Sequence, residues 1–278
     1  MNIFGLGKAG CKIAELFKQQ PQYNVTLFDS DKKYVRRKNC VYVKKQPSAE
    51  LYDSTEIKMK IDIEGDKIIM IVCGSGAIAA ATLQILSNFK QKDICLYYIC
   101  SDVNTISAKA KLRNRAHFGI LQEYARSGVF QKIFLIDNLN MKDIIGSVPV
   151  LQHYSKINNM IFSVIHMLNV FENTEPVFDT LQDDLVTCRI STLSMLDMES
   201  KTEKDFFSLK NVNQIKYFYG INRLRIEKDE KLLDEVVSLS TLQSHDLCVT
   251  SYAIYDTDYD YDFCYVIKST ADIQYMEG

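Results

Sequence analysis

The sequence predicts an α/β fold: a doubly wound, mostly parallel sheet in the first half, a long central helix after it, and a smaller α+β C-terminal domain. Three observations lead there. Apolar runs of strand length alternate with helical periodicities through the first half. The runs "DKIIMIVCGSG", "DICLYYICSD" and "KIFLIDN" are apolar almost without interruption, as in strands buried on both faces of a parallel sheet. Twice, at "GLGKAGCKI" and "CGSGAIAAA", a strand ends in glycines that open a helix, the unit from which doubly wound sheets are built.

The elements follow in order. Residues 1–4 form a short strand, 9–20 a helix with Ile13, Leu16 and Phe17 at core spacing, and 24–28 the next strand. Pro21 closes the helix between them. "CVYV" at 40–43 is a third strand, followed by the polar, turn-rich "KKQPSAELYDST". The strand ending in Gly74 leads to a helix over 77–89, and the two remaining apolar strands are separated by a helix over 106–127. Apolar positions including Ile157, Ile161, Val164, Ile165 and Leu168 then recur at helical spacing. Pro149 marks the start of that helix, which runs for about 20 residues or roughly 30 Å. A mixed stretch to Leu209 shows no clear period. After it come a strand at 215–219, a charged helix at 228–241, and the strands "DLCVTSYAIYD" and "DFCYVIKST", with "TDYDYD" between them as a hairpin loop or acidic contact face. The expected division is a first domain at 1–148, the central helix at 149–172 and the C-terminal domain at 173–278.

Composition narrows the function classes. Lys and Arg number 33 against 35 Asp and Glu, so neither nucleic acid nor an anionic membrane is expected as a partner. The basic "KKYVRRK" at 32–38 reads as a surface edge or helix cap. No apolar run approaches the roughly 20 residues of a membrane helix. The N-terminus goes straight into the glycine turn, so no secretion signal is expected and the location is expected to be cytoplasmic. Eight scattered cysteines without a C-x-x-C pair read as reduced, buried thiols. The four histidines neighbour none of them, and no metal site is expected.

Gly5-x-Gly7-x-x-Gly10 lies between a strand and a helix, with Asp29 ending the next strand, and so satisfies the dinucleotide fingerprint. Glycines let backbone approach a phosphate, and a helix N-terminus offers free N–H groups and the positive end of a dipole. The second loop, Gly74-Ser75-Gly76, repeats this arrangement in the same sheet and suits a polyphosphate.

Together these stretches resemble the tubulin/FtsZ superfamily of GTP-binding cytoskeletal proteins, in order and over most of the chain. "GLGKAGCKI" is similar to the first nucleotide loop of tubulins, where Cys11 matches the cysteine beside the guanine base. "LFDSD" resembles the segment that ends the second strand, and "DKIIMIVCGSGAIAAATLQIL" the strand, phosphate loop and helix of the "GGGTGTG" signature. The resemblance places Asn114, in "LRNRAHFGI", at the ribose and Asn138, at the end of "FLIDN", near the nucleotide. "VLQHYSKINNMI" is similar to the head of the family's central helix, which implies that Tyr154 stacks on the base and Asn158 reads its edge. An amide pairs with guanine's N1–H, N2 and O6, and an aromatic ring gives a stacking face. The implied ligand is GTP or GDP, with Mg2+; the implied partner is a second copy stacked head to tail, with room for a protein adaptor.

In that family, hydrolysis is completed by carboxylates of the next subunit, in an "N-x-D-x-x-D" pattern. The matching segment, "FDTLQDDL", puts Asp179 at the Asn, Leu181 at the first Asp and Asp184 at the second, with Asp183 as a substitute. The phosphate loop is also two residues shorter than the family's, and the interval 31–66 lacks its glycine-rich γ-phosphate sensor. Loss of a water-positioning carboxylate costs several kcal/mol, at about 1.36 kcal/mol per tenfold in rate, which implies weak or lost hydrolysis. Two alternatives stand beside this reading: a degenerate, nucleotide-independent scaffold, and an NAD(P)-dependent oxidoreductase using the first glycine loop and Asp29.

Overall fold

The structure, a computed structural model, describes residues 1–31, 39–53, 57, 59, 61, 63–242 and 248–276. The basic run 32–38 lies outside the described residues. The chain divides into two units: Met1–Phe162 with the residues from Ile273 on, and Ser163–Asp272.

In the first unit β1 (Asn2–Leu6), β2 (Asn24–Asp29), β3 (Cys40–Tyr42), β4 (Lys67–Cys73), β5 (Asp93–Cys100) and β6 (Lys132–Asp137) form a parallel sheet in the order β3-β2-β1-β4-β5-β6. The apolar runs behave as their composition dictates: every residue of β1 is buried, as are Ile68, Met70, Ile71 and Val72 of β4. Helix α1 (Gly7–Leu16), prolonged by a 3-10 turn at Phe17–Gln19, lays Ile13, Ala14 and Phe17 on the sheet.

The helix expected over 77–89 is in three pieces, a 3-10 segment at Ala77–Ala81, α2 (Thr82–Leu86) and a 3-10 turn at Ser87–Phe89. Side-chain donors compete for its carbonyls: Thr82 donates to Ala79 O at 2.6 Å, Ser87 to Gln84 O at 2.8 Å and Asn88 to Gln84 O at 2.9 Å. Helix α3 (Ala108–Arg126) is capped by Ser107, whose hydroxyl accepts from Ala110 N. Helix α4 (Asn138–Ile145) is capped by Asp137 and ends at Gly146, whose φ is 66°. Pro149 precedes a 3-10 turn, and the long helix α5 runs over His153–Glu172.

The second unit holds β7 (Phe178–Asp179), β8 (Ile190–Asp197), β9 (Thr202–Asp205), β10 (Gln214–Asn222), α6 (Arg223–Lys228), α7 (Leu232–Thr241), β11 (Val249–Thr257) and β12 (Phe263–Thr270). Its strand order is β8-β12-β10-β11-β7, with β9 on β8. β10 and β11 pair in parallel, and the pairs β10–β12, β11–β7, β12–β8 and β8–β9 are antiparallel. Leu232, Val236 and Leu239 of α7 pack on Tyr217, Tyr219 and Ile254.

Three expectations are corrected here. The stretch read as mixed contains β8 and β9. The helix expected over 228–241 begins only at Leu232, and a separate, unexpected helix over Arg223–Lys228 precedes it, with Asp229 accepting from Lys231 N in the break. "TDYDYD" is not a hairpin loop: β11 and β12 flank β10, and the segment crosses over its end. Neighbouring strands lie about 4.8 Å apart, so the crossover spans only about 10 Å. Asn222 anchors it, its side chain donating to Tyr259 O at 2.7 Å and its N–H to Asp262 at 2.8 Å.

Candidate functional site

In a parallel sheet all strands end at one edge, and a crevice opens where successive connections leave in opposite directions. Here that point lies between β1 and β4, adjacent strands with Leu6 opposite Val72. Both glycine loops emerge there. The first loop lies close to the segment that follows the second: a Cβ on Gly7 would lie 2.9 Å from Ile78 Cγ2. Gly7 also holds a φ of 69°, a left-handed conformation that favours glycine.

Among the described residues, neither α1 nor the 3-10 segment opened by Gly76 has a side-chain cap; α2 and α7 lack one as well, whereas α3, α4 and α6 have one. What sets the first two apart is that both start at this edge of the sheet, where helix N-termini can receive an anion. Gly5, the last residue but one of β1, packs against Gly10 and Cys11 of α1, and Gly10 packs against the Ile71 carbonyl.

The second loop is gripped from behind. Gly74 faces the Tyr98 hydroxyl so closely that any Cβ would collide with it. That hydroxyl donates to Asn114 O at 2.8 Å and Oδ1 at 3.0 Å. Arg113 donates through Nε and Nη2 to Ser75 O at 3.1 and 3.0 Å, and His117 Nδ1–H donates to Gly74 O at 3.0 Å. Ser101, at the end of β5, donates to the Ser75 hydroxyl at 2.6 Å. Arg113 and His117 were not singled out from the sequence, although their four-residue spacing in a helix around Asn114 was available as a signal.

Other expected residues are placed differently from one another. Cys11 is fully buried, its thiol donating to Gly5 O at 3.3 Å and Phe28 O at 3.5 Å. Burial, with the Asp29 charge beside it, pushes this thiol up to about 12. Asn114 is also fully buried, and its amide donates to Met276 Sδ at 3.2 Å. Its ends are spent inside the fold, where they offer no surface to a ribose. Asp29 is buried and accepts from Asp31 N at 2.9 Å. Asn138 is half-buried at the first position of α4. Beside it, burial raises the Asp137 carboxyl above the usual range, against the lowering effect of the Leu139 N–H and with Asp102 adding to the rise.

Tyr154 is 55% exposed in the first turn of α5, and Asn158 is half-buried one turn on. Residues four apart share a helix face, and the next on this side, Phe162, meets Phe17 of the first glycine unit edge-on at 4.8 Å. The side of α5 that carries Tyr154 and Asn158 is thus turned towards the element following the first loop. In the second unit Asp179 accepts from Leu181 N at 3.2 Å, Asp183 is exposed, and Asp184 pairs with Lys216 at 2.9 Å. Among the described residues no group of three or more His, Cys, Asp or Glu side chains is placed to hold a metal ion, and no helix is long and apolar enough to cross a membrane.

No protein-family model matches the chain, and no curated protein matches it by sequence. Solved structures do match along nearly its whole length. A GTPγS-form protofilament of TubZ from Bacillus thuringiensis serovar israelensis superposes with a TM-score of 0.68 at 13% identity, over 96% of this chain and 86% of that one. A four-stranded TubZ-Bt filament gives 0.72 at 13%, over 96% and 85%. An FtsZ mutant of M. jannaschii gives 0.67 at 9%, over 97% and 90%. At such identities the likeness is one of fold. It is the tubulin/FtsZ-like fold that the sequence motifs imply.

Proposed function

We propose that this chain, built on the tubulin/FtsZ-like fold, binds a guanine nucleotide between its two glycine loops and assembles head to tail with further copies of itself. The observation that carries the reading is the pair of uncapped helix starts meeting at the switch point of the first sheet. Gly5, Gly7 and Gly10 with Gly74, Ser75 and Gly76 supply the phosphate cradle. Tyr154 and Asn158 supply a stacking ring and an amide. A bound triphosphate would bring a hydrolysable γ-phosphate, with Mg2+ to balance its charge. Cys11 and Asn114 act in this reading as packing residues that hold the loops, because both are fully buried and hydrogen-bonded.

Assembly is supported by the likeness to protofilament and filament structures of TubZ. Isothermal titration with GTP and GDP tests the first half, with saturable heat expected from at least one of them. The melting temperature should rise with ligand by mass action. No heat and no shift with either, at protein concentrations well above micromolar, sinks nucleotide binding. Sedimentation and electron microscopy with and without GTP test the second half, and monodisperse particles under both conditions count against assembly.

A second reading, a scaffold that assembles without nucleotide, is favoured by the pairing of Asp184 with Lys216 and by Leu181 at the position of a water-positioning acid. It predicts filaments with no bound nucleotide after denaturation of the purified protein. An NAD(P) oxidoreductase remains an outcome of the same measurement: adenine dinucleotide in the extract, or a melting shift with NADH alone, replaces both.

A further inference from the structure

We propose that the first unit carries a second binding site, behind the glycine loops, for an amphipathic organic anion: a carboxylate on an aliphatic or aromatic body. A cavity of about 750 Å3 lies between α3 and the segment around Ala79 and Leu83. That is within the roughly 300–1,000 Å3 typical of small-molecule sites. None of the loop glycines lines it, although Arg113 and His117, which do, also hold the Ser75 and Gly74 carbonyls from behind.

Helix α3 offers the cavity two parallel rows. Lys109, Arg113 and His117 are spaced by four and form a basic row; Leu112, Ala116, Ile120 and Tyr124 form an apolar one. The large members of the apolar row are poorly covered, Leu112 at 71% exposed, Ile120 at 48% and Tyr124 at 40%. Contiguous exposed apolar side chains on a helix otherwise buried at Phe118, Leu121 and Ala125 mark a binding surface. Charge selects the occupant. Lys109, Lys111, Arg113 and Arg115 crowd the N-terminal half of α3, and no acid stands in its first turn. Cations there oppose the helix dipole and cost stability. The same concentration of charge attracts an anion. Glu50, the acid on the opposite wall, is outnumbered. An apolar body between the α3 row and Ala79 and Leu83, with its carboxylate towards Lys109 and Arg113, uses both rows at once.

The test titrates the nucleotide-free full chain with 8-anilinonaphthalene-1-sulfonate, an apolar anion whose fluorescence rises on leaving water, and then competes it with decanoate and with decanol. One saturable site per chain is expected, displaced by decanoate and much less by decanol. Ala116→Trp adds a ring at an exposed position and should fill the cavity and abolish the signal. Lys109→Gln should weaken binding about tenfold, the size of one hydrogen bond to a charged group. Circular dichroism and melting temperature establish that each variant is folded, and Lys109→Gln carries the test alone if Ala116→Trp is not. Non-saturable binding, or affinity unchanged in both folded variants, overturns the site. Decanol competing as well as decanoate overturns its preference for an anion.

Discussion

A methyl group at position 74 has no space to occupy: it would fall on the Tyr98 hydroxyl and crowd the Asn114 amide oxygen. The loop's course, the buried tyrosine and the buried asparagine are therefore one packing unit. Gly74→Ala should destabilise the chain by about 1–3 kcal/mol, the usual cost of overpacking, and, under the proposed function, weaken GTP binding by shifting the second loop. In a Tyr98→Phe background, which removes the hydroxyl, part of that loss should return, because residues in contact do not act additively. Denaturant midpoints of the four proteins read this, and strictly additive losses would refute the packing unit. Cys11 allows a check by pH. Its thiol has a raised folded value of about 12 against an ordinary 9.0. The unfolded thiol therefore releases its proton first as pH rises, so the stability it contributes is full below pH 9 and is lost between about 9 and 12. Cys11→Ser should flatten that part of the stability profile, and Cys11 should resist alkylation in the native protein at pH 8. Rapid native labelling of Cys11 would contradict its burial.

At the scale of elements, the second unit contains a buried ion cluster joining three strands. Lys268 of β12 is 4% exposed and lies 2.9 Å from Glu203 and 2.8 Å from Asp205 of β9, and Asp205 also accepts from Ser194 of β8 at 2.6 Å. Burial pulls the lysine's proton affinity down, yet the two carboxylates outweigh it and the net shift is upward. Removing one partner strands buried charge, so Lys268→Met should cost about 3–5 kcal/mol, and adding Glu203→Gln should recover part of it. A loss from Lys268→Met no larger than that of a surface pair, about 1 kcal/mol or less, would refute the cluster's importance. The same cluster shows why these strands were illegible. "ISTLSMLD" carries polar residues where a buried strand should be apolar, and "TEKD" is a short, partly exposed strand without an apolar face. Ser194 meets Asp205 of the next strand, but Ser191 meets Ser269 at 2.8 Å, a partner 78 residues away in the chain. β4, β5 and β6, whose runs are apolar without such help, were read correctly from sequence alone. The reading of "TDYDYD" as a hairpin failed for a related reason: strand order depends on β10 taking the central place, which no local pattern encodes.

For the whole molecule, the two-loop architecture was legible because glycine, strand and helix signals fall together twice, and the parallel order then brings the loops to one edge. What was not legible is which polar side chains the fold consumes: Asn114 looks available in a helix and is sealed by Tyr98 and Met276. The same question decides catalysis. Under the proposed function, turnover requires carboxylates from a second copy; of the three acids expected there Asp179 accepts from Leu181 N, Asp183 is exposed and Asp184 is paired with Lys216, while Leu181 stands at the first acid position without a carboxylate. GTP turnover per chain should therefore be slow and should increase with protein concentration, since the reacting site is complete only between copies. Lys216→Met, which removes the Lys216 ion pair of Asp184, and Leu181→Asp, which supplies the missing acid, should each raise it, by roughly tenfold or more where the carboxylate orients water. Asp184→Asn should lower it without changing GTP affinity, because Asp184 would act on the nucleotide of the neighbouring copy. Phosphate release measured across a concentration series gives the answer: a rate per chain independent of concentration and unmoved by all three substitutions would exclude a shared catalytic site and leave the nucleotide, where bound, as a structural ligand.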